Sequence, residues 1–133
     1  MRSLSLLLFL AFFSSPLLGN TKYFQAVQRT AKAYRVDVSI DQMKMVPDTG
    51  GNEAFYINLK SNRNNFEMVM LVGYIAAGEA MKTGVEPSVI YVTVEVPLGE
   101  GIRLVTTATR EDVKRLISGD INTAQFSRLI TYI

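Results

Sequence analysis

Residues 61–84 read SNRNNFEMVMLVGYIAAGEAMKTG, and the eleven positions from Met68 to Gly78 carry no charge. Asn62, Asn64 and Asn65 offer a cap, Glu67 falls in the first turn where the helix dipole favours an acid, and Gly84 is placed to end the helix after Lys82. The spacing predicts a helix with no solvated face over most of its length. It falls short of the ~20 apolar residues that cross a bilayer. Protein must therefore bury it, with a sheet on one side and a second helix or another subunit on the other. Gly73, Ala76, Ala77, Gly78 and Ala80 keep part of its surface thin, so a neighbouring backbone can come close.

On either side of this helix the pattern changes from helical to alternating. Upstream, RVDVSIDQMKMVPDTGGNEAFYINLKS (35–61) sets Val36, Val38 and Ile40 against Asp37 and Ser39, then Met43 and Met45 against Lys44. After the turn residues Pro47 to Gly51, Phe55, Ile57 and Leu59 alternate with Tyr56 and Asn58. A change of phase between Ile40 and Met43 predicts a bulge or a break in the first strand. Downstream, EPSVIYVTVEVPLGEGIRLVTTAT (86–109) puts Val89, Tyr91, Thr93 and Glu95 on one face and Ile90, Val92, Val94 and Val96 on the other. Pro97 to Gly101 then turns the chain into a Thr- and Val-rich partner strand from Ile102 to Ala108.

Helices flank these hairpins. TKYFQAVQRTAKAYRV (21–36) spaces Phe24, Val27, Ala31 and Tyr34 by three and four, and its charges, Lys22, Arg29, Lys32 and Arg35, are all basic. TREDVKRLISG (109–119) begins with Thr109 as cap and Asp112 three residues on, and Glu111 suits the dipole. That acidic pair reads as helix-start chemistry before it reads as a cation site. DINTAQFSRLITYI (120–133) predicts a last short helix with Phe126, Leu129 and Ile130 on one stripe. The order specifies a single α+β domain in two layers. Two hairpins supply an antiparallel or mixed sheet of about four strands, the long apolar helix crosses one face, and helices flank it at both ends. This order of elements resembles that of profilin-like and secretion-chaperone-like domains, an analogy that leaves function open.

The opening residues, MRSLSLLLFLAFFSSPLLGN (1–20), pair Arg2 and the amino terminus with an apolar run from Leu4 to Leu18 and a small residue, Gly19, for cleavage. That is the layout of a secretory signal peptide, so 1–19 is expected to direct export and 20–133 to form the domain. Leu17, two positions before that cleavage point, is larger than the usual pattern wants, which leaves an uncleaved membrane anchor as the alternative. With no cysteine and no Asn-x-Ser/Thr sequon, the export points to a bacterial envelope, periplasmic or secreted.

Composition narrows the chemistry. Histidine and cysteine are both absent, which removes imidazole bases, thiolate nucleophiles, Ser-His-Asp triads and His/Cys metal sites. No metal or other cofactor is expected. Setting Arg2 aside with the opening segment leaves 13 basic side chains against 12 acidic, a balance that argues against a nucleic-acid partner. The remaining candidates are ligand-binding ones: Arg63 before the long helix, as an anion contact, and Glu79, the one charge in AAGEAM, as an acid or base if its turn is buried. Tyr56, Tyr91 and Tyr132 are candidates for an aromatic binding surface. The expected function is a non-enzymatic envelope module that binds another protein, as a homodimer that buries part of the long helix or an open sheet edge. A ligand binder or enzyme using Glu79 or Arg63 is the first alternative. A peripheral membrane protein, held by a retained opening segment or by the basic first helix, is the second.

Overall fold

The computed structural model describes residues 19–133, so the export reading of 1–19 lies, but for Gly19, outside the described residues. Helix α1 runs through residues 19–33. It is followed by strands β1 (Met43–Pro47) and β2 (Glu53–Lys60), helix α2 (Phe66–Ala80), strands β3 (Val89–Val96) and β4 (Ile102–Thr109), helices α3 (Arg110–Ser118) and α4 (Thr123–Ser127), and strand β5 (Thr131–Tyr132). The five strands lie in one sheet in chain order. Tight turns reverse β1 into β2 and β3 into β4, whereas β2 and β3 run parallel because α2 carries the chain back across the sheet between them. The sheet is therefore mixed, and it has one strand more than the hairpins predict: β5, two residues long, closes on Thr106 and Thr107.

Alternation places Phe55, Ile57 and Leu59 of β2 in register with Ile90, Val92 and Val94 of β3, all six buried beneath α2. Gly73 lets that helix settle: a Cβ there would stand 3.0 Å from both Leu59 and Val92. Gly78 does the same towards α3, where a Cβ would meet Ile117 at 2.4 Å and Val113 at 2.8 Å. On the other flank, the Tyr23 ring of α1 meets Phe55 edge-on at 5.0 Å, and its hydroxyl donates to the Ala77 carbonyl at 2.9 Å. The far side of the apolar helix is thus covered by α1 and α3 of the same chain. Only a stripe of Met68, Leu71 and Ile75 stays partly open, Met68 at 47%. Thr106, the one fully buried polar side chain of the described core, donates to the Val92 carbonyl at 2.9 Å. Its single hydroxyl proton is then committed, so Tyr74 donates to Thr106 at 2.8 Å.

Three local expectations are corrected. The segment from Val36 to Ser39 buries both valines but joins no ladder. Gln28 caps its Val38 carbonyl at 2.9 Å, and a 3-10 turn, Ile40–Gln42, absorbs the change of phase before β1. Asn65 does not cap α2, because its carboxamide oxygen accepts from the Asn62 N–H at 2.7 Å. The final helix stops at Ser127: Phe126 and Ile130 are buried, but Leu129 faces outward and the next two residues become β5. Thr109 does cap α3, accepting from the Asp112 N–H at 3.2 Å, with Glu111 and Asp112 in the first turn.

Candidate functional site

Among the described residues, all four helices reach the core from the same side of the sheet. Tyr23 of α1 touches Phe55, α2 lies over β2 and β3, α3 packs against Gly78, and Phe126 of α4 meets Tyr74 at 5.2 Å. The opposite face carries the other half of each alternation. One row crosses all five strands: Lys44, Tyr56, Tyr91, Thr107 and Thr131. Parallel pairing of β2 with β3 sets Tyr56 directly beside Tyr91, and the rings stack with centroids 4.5 Å apart and planes within 4°. Lys44 places its ammonium 5.2 Å from the centre of the Tyr56 ring, within cation–π range. Farther along the same face, beyond the row of Asn58, Thr93 and Val105, Lys60, Glu95 and Arg103 alternate in charge across β2, β3 and β4.

This face is half-buried rather than open to water at its centre, and polar atoms there lack partners. The Asn58 Oδ1 and Thr107 Oγ1 atoms are shielded and unbonded, the first two residues along β2 from Tyr56 and the second beside Tyr91 on β4. The Tyr56 phenol is pushed above its ordinary range by partial desolvation first, then by Tyr91 and Asp48. It stays protonated and remains a donor at neutral pH. The surface offers flat aromatic area, a hydroxyl donor and two idle acceptors.

The structure separates the two residues singled out as ligand contacts. Arg63 is exposed in the turn before α2, and Glu79 lies near that helix's other end, ~20 Å away by helical rise. Glu79 sits on the partly open side and holds Lys82 at 2.7 Å. The nearby groove of about 480 Å³, lined by Gly78, Met81, Lys82, Glu86, Lys114 and Ile117, is also internally neutralised. Lys114 bonds Glu86 at 2.7 Å and holds its carboxyl below the usual range. Tyr132 lies on β5 opposite Thr106, apart from the stacked pair. No group of three acidic, histidine or cysteine side chains among the described residues is arranged to hold a metal ion. No helix among them is long and apolar enough to cross a membrane. Comparison with protein-family models, curated proteins and solved structures finds no match to this chain.

Proposed function

We propose that the chain is an exported, non-enzymatic protein-binding module of the bacterial envelope, and that it takes a second copy of itself on the helix-free face of its sheet. The observation that carries this reading is the stacked Tyr56–Tyr91 pair on a face that no described helix covers. Tyrosine is enriched in protein interfaces because it brings large rigid area with a polar tip. The three eight-residue strands, ~3.3 Å per residue and ~4.8 Å apart, make a flat platform of about 10 by 26 Å, which the five-residue β1 widens on one side. Sheets pack face to face readily. The mixed signs of Lys60, Glu95 and Arg103 suit a surface that meets its own copy.

Sedimentation equilibrium of the exported protein tests the reading. A dimer in the micromolar range is expected, and Tyr56→Ser with Tyr91→Ser is expected to shift it to monomer. A wild-type chain that stays monomeric throughout that range would overturn self-association. The alternative built on Arg63 or Glu79 gains nothing from the geometry, since one is isolated in solvent and the other is held in an ion pair.

A further inference from the structure

The sheet-face reading leaves the basic side of α1 unused. Lys22, Arg29 and Lys32 are exposed, while Tyr23, Val27 and Ala31 point into the core. Arg35 follows just past the helix end. Residues 19–35 hold these four cations and no carboxylate. Among the described residues none of the four is in an ion pair, whereas Lys82, Lys114 and Arg115 all are. Arg29 and Lys32 also line an open groove of about 610 Å³ with Gln25, Gln28 and Ser39, where Asp37 is the one opposing charge.

Arg35 adds a second observation. It is the only non-glycine residue described with positive φ, at 63°. It closes α1 in a Schellman arrangement: its own N–H bonds the Lys32 carbonyl at 2.9 Å, and the Val36 N–H bonds the Ala31 carbonyl at 2.9 Å. Glycine fills this position without strain, yet a cation stands there. Strain kept at a surface position is a reason to look for a role.

We propose that this face docks on the surface of an anionic phospholipid bilayer, by charge and without insertion. The apolar stripe of α1 is already occupied with Phe55 and Ala77, so the helix cannot sink into acyl chains as an interfacial helix does. Headgroup attraction remains, at about fivefold in affinity for each cation near an anionic surface. Lipid is favoured over an acidic protein by the chain itself. Lys22 follows Leu18, the last residue of the apolar run, by four positions. Even fully extended, that joint spans at most ~14 Å, so α1 meets headgroups whenever the run engages a bilayer. This preference rests on the opening segment being still attached to the domain, during export or as a retained anchor, and not on the sheet face, which the variants below leave intact.

The test is partition of the full chain onto vesicles of phosphatidylcholine alone and of phosphatidylcholine mixed with phosphatidylglycerol. Any contribution of the apolar run is common to wild type and variants. Wild type should prefer the anionic vesicles by at least ~20-fold, and that preference should fall with added salt because screening sets in beyond ~10 Å at 0.1 M. Lys22→Gln, Arg29→Gln, Lys32→Gln and Arg35→Gln combined should abolish it. Arg35→Gly should bind about fivefold more weakly while unfolding at a higher denaturant concentration, a split that a purely structural role would not produce. Equal partition of wild type and the combined variant, or a preference indifferent to salt, would overturn the proposal. So would capture of polyglutamate with no preference between vesicles, which would give the face to an acidic protein instead.

Discussion

Tyr23, Tyr56 and Tyr74 all hold their phenols above the ordinary tyrosine range, and the causes differ. Burial alone raises Tyr23, burial is the largest cause for Tyr74, and for Tyr56 the cause is partial desolvation helped by Tyr91 and Asp48. The fold therefore favours the neutral phenol. An unfolded tyrosine ionises near ~10, so above that pH the unfolded chain sheds protons that the folded chain keeps, and stability falls as pH rises. The urea midpoint should be insensitive to these groups up to about pH 9 and decline from about pH 10. Tyr23→Phe keeps the ring and loses the bond to the Ala77 carbonyl. It should cost about 1 kcal/mol at neutral pH and make the alkaline decline shallower. An unchanged decline would mean that Tyr23 is not the buried donor described.

Helix α2 owes its position to two glycines on different sides. Alanine at Gly78 would press a methyl into Ile117 and Val113, on α3. Gly78→Ala should destabilise by about 1–3 kcal/mol in denaturant titration, although alanine is the better helix former by up to ~1 kcal/mol. Gly73→Ala meets its neighbours at 3.0 Å and should cost less. Wild-type stability for Gly78→Ala would place α3 elsewhere. The helix, both hairpins and the burial of its apolar run were legible because their periods are long and regular, as in the strict alternation from Val89 to Val96. Two elements were not. Val36 to Ser39 alternates like a strand, but the Gln28 side chain takes its Val38 carbonyl, and the following 3-10 turn shifts the phase. β5 is too short for any period, and it exists only because β4 presents Thr106 and Thr107 to it.

As a whole, the described molecule is one sheet with its helices on one side, and the two proposed contacts use its helix-free face and the basic side of α1. The tyrosine surface was half legible: Tyr56 and Tyr91 both fall on the polar side of their alternations, but only the parallel pairing of β2 with β3, forced by the α2 crossover, brings them into one stack. The basic face was legible in full, because helical spacing separates its cations from Val27 and Ala31 without any long-range contact. The central claim is that the helix-free face is where a second copy binds, and not the outer stripe of α2. Photo-crosslinking in intact cells tests it most directly, with p-benzoylphenylalanine in place of Tyr56 in one variant and of Met68 in another. The account predicts an adduct of twice the chain's mass from position 56 and none from position 68; an adduct from 68 with none from 56 would contradict it.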